Sequence, residues 1–458
     1  MRGSRPTGAT SPVLRRVVRR FRPPAPGSFR LVRFIEIELA EPLPTIPLQG
    51  PAVVEILATL HGQPLGKLAV EIRDQPLPPA RLQEALDLAI GDQVKAHLHR
   101  DGIPEAASRQ WAGGGAVPPC LRQLEPGADP ALVSVVVPTH GRSAQLAACL
   151  DSILASHYPA VEVIVVDNAP PDDSTQRLVA DRFGANSRVI YLREERAGAS
   201  LARNLGIQAA GGEIVAFTDD DALVDPWWVS ALVAGFADDP QIACVTGLTL
   251  PIDLDAPAQQ AFELYGGMTV GYERRVYDLQ EHRGDTVLYP YTAGVFGASN
   301  NVAFRRAPFL EQGGFDVSLG PATPAFGAED LDAFLRVILG GERILYEPRA
   351  VVRHEHRREF SELYWQVFTY SAGFVALLVK WALADRRVAA DMARRIPRLL
   401  PAALFATHRG GAEANIGAYP SELRWLERLG FLYGPVAYVR SRVCQRRAGV
   451  RTAGGRRD

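Results

Sequence analysis

The chain has 458 residues, of which 47% are hydrophobic and 22% charged, and its formal net charge is −1. This composition is ordinary for a globular protein, and the length allows roughly two to four domains. Because positive charge is not in excess, we do not expect a nucleic-acid partner. The cysteines Cys120, Cys149, Cys244 and Cys444 lie far apart without a C-x-x-C pair. Their spacing indicates neither a zinc knuckle nor a disulfide framework, and a reducing cytoplasm fits.

Two unlike segments precede the central part of the chain. Residues 1–29 are rich in Arg and Pro and lack the apolar core of a secretory signal, which predicts a disordered leader. Residues 30–124 contain three strand-like runs and then a helix near Pro79 to Leu98, so we predict a small α+β domain without an assigned role. His97 and His99 stand at the end of that helix, where we expect them to cap the terminus rather than bind metal.

Residues 131–356 alternate short β-branched runs with helical segments. The alternation predicts the α/β class, with a mostly parallel sheet flanked by helices. Ligands of such sheets bind beyond the carboxyl ends of the strands. Polar clusters fall at four of these ends, and they are Pro138-Thr139-His140-Gly141-Arg142, Asp167-Asn168, Arg193-Glu194-Glu195-Arg196 and Asp219-Asp220-Asp221. We therefore expect one binding site at this edge of the sheet.

The strand that begins at Glu213 ends in three consecutive carboxylates, Asp219, Asp220 and Asp221. Adjacent acids at a strand end repel one another, so a bound divalent cation is the natural compensation. Side chains alternate along an extended chain, which places the first and third acids on the same side, where they can hold one ion. A polar turn that closes the strand would use the same residues.

The loop after the first strand of this region carries neither G-x-G-x-x-G nor G-x-x-x-x-G-K-[ST], which argues against a dehydrogenase and a kinase-like site. The order of elements resembles the family 2 glycosyltransferases with the A-type nucleotide-diphospho-sugar fold. The matching segments lie between about Val133 and His356, and they are Val135-Val136-Val137-Pro138-Thr139-x-x-Arg142, Val163-Ile164-Val165-Val166-Asp167, Gly198-Ala199-x-x-Ala202-Arg203-Asn204-x-Gly206, Phe217-Thr218-Asp219-Asp220-Asp221, Gly297 to Arg306, Gly313-Gly314-Phe315-Asp316 and Gly327 to Asp332.

The resemblance implies an enzyme that moves a sugar from a nucleoside diphosphate to a hydroxyl of a glycan, a lipid-linked or a small-molecule acceptor, with inversion. Mg or Mn would neutralise the diphosphate that leaves. Two other classes stay open, a catalytically silent carbohydrate-binding scaffold and a sugar-nucleotide pyrophosphorylase. The second is disfavoured because no Gly-rich loop with Arg and Lys follows the first strand.

The resemblance also implies roles for single residues. Asp330 would be the general base that takes the acceptor's proton, and Asp167 would bind the nucleotide base. Asp221 would hold the metal, with His354 as a further ligand in preference to His356. The other donor-binding residues would be Pro138, Thr139, Arg142, Arg203, Asn204, Asp219 and Asp220.

Local alternatives remain for several of these residues. Asp167 and Asp330 can act as acids at helix starts, and Asn204 can be an internal polar residue. Asp220 can replace Asp221 as the metal ligand, since an adjacent triplet leaves the register open. His354 can be a solvated histidine in a charged loop.

Residues 357–445 predict a helical C-terminal region, and residues 446–458 a disordered tail. The most apolar stretch, Ser371 to Val379, is interrupted by Lys380 and is too short to span a bilayer. Arginines then alternate with apolar residues, and they are Arg386, Arg387, Arg394, Arg395 and Arg398. Such a helix can lie on the inner face of an anionic membrane or pack on the domain, and the two interpretations are equally good.

Overall fold

The computed structural model describes residues 18, 21, 32–47, 53–72, 75–104, 117–405 and 421–447. In chain order the strands are β1 (Val32–Glu38), β2 (Val53–Leu60), β3 (Gln63–Glu71), β4 (Val133–Thr139), β5 (Val161–Asn168), β6 (Val189–Glu194), β7 (Ile214–Phe217), β8 (Ala222–Val224), β9 (Ile242–Pro251), β10 (Arg275–Tyr277), β11 (Val302–Arg305) and β12 (Arg343–His354).

The helices, in the same order, are α1 (Pro79–Arg100), α2 (Pro119–Arg122), α3 (Ser143–Leu154), α4 (Ser174–Leu178), α5 (Ala199–Ala209), α6 (Trp228–Ala237), α7 (Pro257–Tyr265), α8 (Arg306–Glu311), α9 (Glu329–Leu339), α10 (Phe360–Ala384), α11 (Arg386–Phe405) and α12 (Ser421–Arg447). A π-helical turn, Val179–Phe183, continues α4, and a 3-10 turn covers Ala293–Phe296.

The first three strands form a separate sheet, in which β1 and β2 are parallel and β2 and β3 antiparallel. Helix α1 covers this sheet with apolar residues four positions apart, namely Leu82, Leu86, Ile90 and Val94, all of them buried. That spacing puts the four side chains on one face of the helix. The three predicted strands and the predicted helix are present, and the helix continues two residues beyond the predicted end, to Arg100.

Polar contacts join this small unit to the rest of the chain. Gln260 on α7 accepts a hydrogen bond from the Val32 amide at 3.0 Å and donates one to the Val32 carbonyl at 2.9 Å. Lys67 on β3 lies 2.5 Å from Glu55 and 3.0 Å from Glu263. Burial by itself would lower the pKa of Lys67, but the two carboxylates outweigh it and raise the pKa. The lysine therefore stays charged, and its pairing fixes how the two parts meet.

The large sheet has nine strands in the order β10-β12-β9-β11-β7-β4-β5-β6, and β8 pairs with β12. Four of its pairings are parallel and four are antiparallel. The parallel pairings β7-β4, β4-β5 and β5-β6 belong to the β-branched runs, of which β4 and β5 are almost wholly buried, as expected for strands covered on both faces. The predicted α/β class, with flanking helices and a helical C-terminal region, is confirmed, and the sheet is mixed because β8, β10 and β11 are antiparallel to their neighbours.

Helix α5 lies unusually close to β4. A Cβ atom at Gly206 would stand 2.4 Å from a methyl group of Val136, so only glycine permits this approach. The close packing fixes the beginning of α5 at the carboxyl end of the parallel strands. Arg203, one turn into the helix, is thereby held where the strand ends meet.

Helix α10 has 25 residues and a mean hydropathy of 1.6 over its most apolar window, which is long and apolar enough to cross a membrane by length and composition alone. The prediction concerned only Ser371 to Val379, and the helix that contains this stretch is longer. In the structure α10 packs on protein, with Leu363, Phe368 and Leu377 among its buried residues. Lys380 near its end pairs with Asp316 and Asp332, each at 2.6 Å.

The predicted terminal segments lie mostly outside the described residues. Within the predicted leader 1–29, Val18 is one of two described residues, and it lies buried in a cluster with Leu363 and Leu423. At the other end α12 continues to Arg447, two residues into the predicted tail 446–458.

Candidate active site

The candidate site lies at the carboxyl ends of β4, β5 and β7. The parallel register places Thr139 beside Asp167 and Asp167 beside Arg193. Strand β7 pairs with β4 as far as Phe217 and Val136, and the acidic triplet comes directly after it. The polar residues that follow these strands therefore meet along one edge of the sheet, as the parallel arrangement predicts.

Asp167 is buried at the end of β5. The Tyr191 hydroxyl donates a hydrogen bond to Asp167 Oδ2 at 2.9 Å, whereas Oδ1 has no hydrogen-bond partner among the described residues. Burial raises the pKa of Asp167, and the hydrogen bond from Tyr191 opposes that rise. A buried carboxylate oxygen without a partner is costly, so a ligand N–H group that bonds to it would be favoured. This geometry suits the predicted contact with a nucleotide base.

Asn168 connects the loops around this pocket. Its Oδ1 accepts a hydrogen bond from the Gly198 amide at 2.9 Å, and its Nδ2 donates one to the Arg196 carbonyl at 2.8 Å. A ring nitrogen of His140 lies 2.8 Å from the Asn168 carbonyl oxygen. Pro138, also predicted to line the pocket, is half-buried at the same edge. The start of α5 is thus held against the ends of β4 and β5.

The acidic triplet forms a turn between β7 and β8 rather than the end of a strand. Asp220 faces β4, where Thr139 Oγ1 donates to its Oδ2 at 2.7 Å. Arg142 Nη1 lies 3.1 Å from Asp220 Oδ1 and 2.6 Å from Asp221 Oδ2. Burial raises the pKa of Asp220, although the charge of Arg142 works against it. Three of the predicted donor-binding residues therefore form one hydrogen-bonded group.

Asp219, Asp221 and His354 come together although the triplet is not extended. Each offers one ligand atom, and these atoms lie within 4.8 Å of one another. Strand β12 brings His354 to the triplet, because it pairs with β8 and sets His354 opposite Ala222. Two carboxylate oxygens and one imidazole nitrogen are suitable ligands for Mg²⁺ or Mn²⁺. The residues present therefore fit the divalent metal implied by the resemblance.

The electrostatics of Asp221 keep it in the form that binds cations. Burial alone would raise the pKa of Asp221, but the hydrogen bond and charge of His354 oppose it, followed by the charges of Arg142 and Arg357. Their sum lowers the pKa of Asp221 below its ordinary value, so the carboxylate is ionised at neutral pH. Asp221 offers an oxygen close to those of Asp219 and His354, whereas the contacts of Asp220 are with Thr139 and Arg142, and this geometry favours Asp221 over Asp220 as the ligand.

His356 does not belong to this cluster. Its Nε2 lies 2.9 Å from Glu263, on the side of the site that faces the small N-terminal sheet. His354, whose Nε2 lies 3.1 Å from Asp221 Oδ1, is the histidine that reaches the acidic triplet. The preference for His354 over His356 agrees with this placement.

Arg203 connects the acidic triplet to the beginning of α9. The guanidinium is buried and donates from Nη1 to Glu329 at 2.6 Å and from Nη2 to Asp219 at 3.1 Å. Nη2 also lies 3.2 Å from Ser299 Oγ. Burial alone would lower the pKa of Arg203, but Glu329, Asp219 and Asp330 raise it. A buried guanidinium held by two carboxylates is a rigid connection, since its fork geometry fixes both partners.

Asp330 lies at the second position of α9. Its Oδ2 accepts a hydrogen bond from the Ser299 amide at 3.1 Å, and its Oδ1 accepts one from the Leu331 amide at 2.8 Å. Burial raises the pKa of Asp330, and these amides and Arg203 oppose the rise. The neighbouring Glu329 is raised to a pKa of about 7 by burial and by the charge of Asp330, against the effect of Arg203. Asp330 therefore has the raised proton affinity that a general base needs.

The backbone before α9 adopts an unusual conformation. Ala322, Phe326 and Ala328 all have positive φ angles, of 66°, 71° and 71°. Helix α10 packs so closely on this segment that a Cβ atom at Gly373 would lie only 3.2 Å from the backbone of Gly327. Left-handed backbone in residues other than glycine costs free energy and persists where the surroundings enforce it. The segment that presents Asp330 is thus held by the C-terminal helices.

The side chain of Asn204 bonds to the protein backbone rather than facing the donor site. Its Nδ2 donates to the Phe315 carbonyl at 2.8 Å, and its Oδ1 accepts from the Phe315 amide at 2.8 Å. Both polar atoms of the side chain are therefore engaged with one backbone residue. This placement corresponds to the internal polar alternative, in which Asn204 positions the segment Gly313 to Asp316.

Sequence reasoning missed several contributors to the site. From the sequence Glu329 is only the neighbour of Asp330, yet it is the buried partner of Arg203. Ser299 and Tyr191 bond to Asp330 and Asp167 from separate elements, and Arg357 lies 3.8 Å from Asp221. The two members of each pair are far apart in sequence. Predicting these contacts would have required the strand order, which the sequence does not determine.

Comparison with known proteins supplies the family. Residues 134–281 match the family described as glycosyl transferase family 2. The glucosyl-dolichyl phosphate glucuronosyltransferase of Haloferax volcanii is 30% identical over 264 residues, which make up 56% of this chain and 80% of that protein. The chain belongs to glycosyltransferase family 2. The sequence motifs indicate the same family.

Two further similarities involve proteins that are more distant from this family 2 glycosyltransferase. The pre-mycofactocin glycosyltransferase of Mycobacterium tuberculosis is 26% identical over 251 residues, 54% of this chain and 48% of that protein, so the match spans about half of that relative. A mannosyltransferase of Pyrobaculum calidifontis, solved with GDP-Man and Mn²⁺, has a TM-score of 0.43 and 20% identity, with 73% of this chain and 81% of that chain covered.

Proposed function

We propose that this glycosyltransferase moves a sugar from a nucleoside diphosphate to an acceptor hydroxyl with inversion at the anomeric carbon. One observation carries the proposal. Arg203 bonds on one side to Asp219, which belongs to the cluster with Asp221 and His354, and on the other side to Glu329, next to Asp330. A site for a metal-bound diphosphate and a candidate base are thereby held at a fixed distance by one buried side chain.

The donor would lie along the strand ends. Asp167 would accept a hydrogen bond from the nucleotide base, and the half-exposed Arg142 would face the phosphates. Asp219, Asp221 and His354 would hold Mg²⁺ or Mn²⁺, which when bound supplies positive charge for the diphosphate that leaves. The triplet and Glu329 supply four carboxyl groups against the three guanidiniums of Arg142, Arg203 and Arg357, so a cation and a polyanion complement each other here.

The acceptor would approach from the side of α9. Asp330 would take the proton of the acceptor hydroxyl as that oxygen attacks the anomeric carbon. The bond to the diphosphate oxygen breaks as the new glycosidic bond forms, and the single displacement inverts the carbon. The amides of Ser299 and Leu331 would orient the carboxylate during this step.

Binding of nucleoside diphosphates by calorimetry tests the donor side of the proposal. We expect one of uridine, guanosine or thymidine diphosphate to bind with Mn²⁺ and to lose at least about tenfold in affinity with chelator, because the carboxylates would hold the metal and the metal would supply positive charge for the diphosphate. Asp221→Asn should remove the metal dependence, since an amide is a much weaker ligand for a hard cation.

The matched control is Asp151→Asn, an exposed acid on α3 that pairs with Arg182. It should bind nucleotide as the unchanged protein does. Absence of metal-linked binding to any of the three nucleotides, in protein shown to be folded, would overturn the donor assignment and favour a silent carbohydrate-binding scaffold. Release of pyrophosphate from a nucleoside triphosphate and a sugar phosphate would instead indicate a pyrophosphorylase.

The acceptor proposed is lipid-linked, and the C-terminal helices would touch an anionic membrane. The name of the Haloferax volcanii relative describes transfer onto a dolichyl phosphate sugar. In this chain α12 exposes an apolar stripe at helical spacing, whose members are Trp425, Leu432, Val436, Val439 and Val443. Exposed arginines, Arg440, Arg446 and Arg447, follow on the same helix. An apolar stripe beside basic residues suits the interface of an anionic bilayer.

The helix proposed here to touch the membrane, α12, is not the one that the sequence alone suggests. That helix was α11, yet its Arg395 turns inward and donates to the carbonyls of Val287 and Tyr289, at 3.2 and 3.1 Å. The side chain of Arg398 lies outside the described residues. Leu432 on α12, with 78% of its surface exposed, is a better candidate for insertion.

Co-sedimentation with vesicles checks the membrane proposal. We expect the protein to bind vesicles that contain anionic lipid, and Leu432→Glu with Val436→Glu to weaken binding at least about tenfold, because two apolar contacts are lost and negative charge is added. Leu88→Glu is the control, since Leu88 is 91% exposed on α1. Equal binding by both variants, or no binding to anionic vesicles, would contradict the proposal.

A further inference from the structure

Four metal-ligating side chains meet in the small N-terminal unit, away from the candidate active site. They are His61, His97, Asp101 and Cys120, and one ligand atom of each lies within 4.8 Å of the others. Three separate segments supply them. His61 lies in the turn between β2 and β3, His97 and Asp101 stand one helical turn apart at the end of α1, and Cys120 lies in α2.

The distances within the cluster match those of a tetrahedral site. His61 Nδ1 lies 3.1 Å from Asp101 Oδ2, 3.3 Å from His97 Nε2 and 3.6 Å from Cys120 Sγ. His97 Nε2 lies 3.3 Å from Asp101 Oδ2. A tetrahedral Zn²⁺ with bonds of about 2.0–2.3 Å separates its ligand atoms by roughly 3.3–3.6 Å. The four distances above are close to these values, and the other two, which join Cys120 Sγ to His97 and Asp101, are at most 4.8 Å, so the grouping is compatible with one such ion.

Hydrogen bonding alone explains this grouping poorly. His61 Nδ1 can form one good hydrogen bond, as donor or as acceptor, yet three polar atoms lie within 3.6 Å of it. The side chains of His61, His97 and Asp101 are each only 1% exposed. Among the described residues the ion pairs of Asp101 involve only the two imidazoles and no Lys or Arg. A buried carboxylate in such a setting calls for a cation.

We propose that His61, His97, Asp101 and Cys120 form a structural zinc site. Two imidazole nitrogens, a thiolate and a carboxylate suit Zn²⁺, and the thiolate disfavours the hard ions Mg²⁺ and Mn²⁺. All four positions are filled by protein, so no position is left for a substrate, which is typical of structural rather than catalytic zinc. The expectation that His97 caps its helix is thereby replaced by a ligand role, while His99 is exposed.

The zinc site would join α2 to the small N-terminal unit of β1, β2, β3 and α1. Cys120 precedes Leu121 and Leu124, which line a cavity together with Gly62, Gln63 and Trp227, where the small sheet faces the large one. The strained turn at His61, with φ of 55°, would be held by the metal bond. Loss of the ion should therefore loosen the contact between α2 and the β2-β3 turn.

Metal analysis of the full-length protein tests the proposal. We expect about one zinc per chain after purification without added metal and after exchange into Mn²⁺ buffer, because four protein ligands bind tightly. Cys120→Ser should retain less than about a tenth of that zinc. His99→Ala, two residues from His97 but exposed, should retain all of it. Asp221→Asn should also retain it, which separates this site from the metal of the active site.

Cobalt replacement tests the thiolate ligand by spectroscopy. The Co²⁺-loaded protein should show the visible bands of a tetrahedral site and a thiolate-to-cobalt charge-transfer band in the ultraviolet, and that band should be absent from Cys120→Ser. Chelation should lower the melting temperature, and zinc should restore it. Protein without bound zinc that melts at the same temperature with and without added zinc would overturn the proposal, and so would cobalt spectra without a thiolate band.

Discussion

Asp330→Asn should lower kcat by about 10²–10⁴-fold, the range that removal of a general base commonly produces. The amide cannot take the acceptor's proton, yet it keeps the size of the side chain and can accept the Leu331 hydrogen bond. The affinity for the nucleoside diphosphate with Mn²⁺ should stay the same, because Asp330 does not belong to the cluster of Asp219, Asp221 and His354. Steady-state kinetics and calorimetry on the same preparation would separate the two effects.

The pH profile of the unchanged enzyme gives an independent check on Asp330. Burial raises its pKa above the ordinary value of 3.8. A base acts when deprotonated, so kcat should fall as the pH drops through this raised pKa and should level off above it. The acidic limb should therefore lie above the range of an exposed aspartate, and Asp330→Asn should lack it.

The control for Asp330 is another acid at a helix start. Asp385 precedes α11, and its Oδ1 accepts a hydrogen bond from the Arg387 amide at 2.7 Å. Asp385→Asn should leave kcat unchanged. If Asp330→Asn retains full activity, then Asp330 is only a helix-start acid, the structural role that its position also allows.

Much of the parallel half of the sheet could be predicted from the sequence, because buried parallel strands have long β-branched runs. The antiparallel β11 could not be predicted, since the alternation of side chains is the same in both directions of a strand. The order β9-β11-β7 is fixed by contacts far apart in sequence. One consequence is that Ser299, shortly before β11, reaches Asp330, and no local pattern signals that contact.

Site residues that follow a strand were easier to predict than their partners. The position of Asp167 and of the triplet follows from strand ends alone. The pairing of Arg203 with Glu329, 126 positions later, depends on where α9 packs, and this packing depends on α10. The same limit applies to the buried lysines, because nothing near Lys67 or Lys380 in sequence indicates that each is held by two carboxylates.

For the acidic triplet, the sequence does not predict the conformation of the backbone. Its residues were expected to alternate as in a strand, which would put Asp219 and Asp221 on one side. The chain turns after Phe217, so alternation is not the reason that they meet. Asp220 bonds to Thr139 and Arg142 on one side of the turn. Its two neighbours therefore lie on the other side, where Asp221 contacts His354 and Asp219 contacts Arg203.

Arg203→Met should destabilise the protein by about 3–5 kcal/mol, because it removes one partner of a buried charge pair and leaves Glu329 beside Asp330 without compensation. Chemical denaturation at neutral pH would measure this loss. Arg182→Met is the matched control, since Arg182 pairs with Asp151 at an exposed site and should cost less than about 1 kcal/mol. A comparable cost for both variants would show that burial of Arg203 is not the source of the effect.

The double variant Arg203→Met with Glu329→Gln distinguishes a structural role from a functional one. Replacing both partners leaves no uncompensated charge, so most of the lost stability should return. Activity should not return, because Asp219 still lacks the guanidinium that holds it toward Asp221 and His354. Recovery of stability without activity would mean that Arg203 positions the donor-side acids. Recovery of both would mean that it serves the fold alone, and that Asp219 needs no partner to bind the diphosphate.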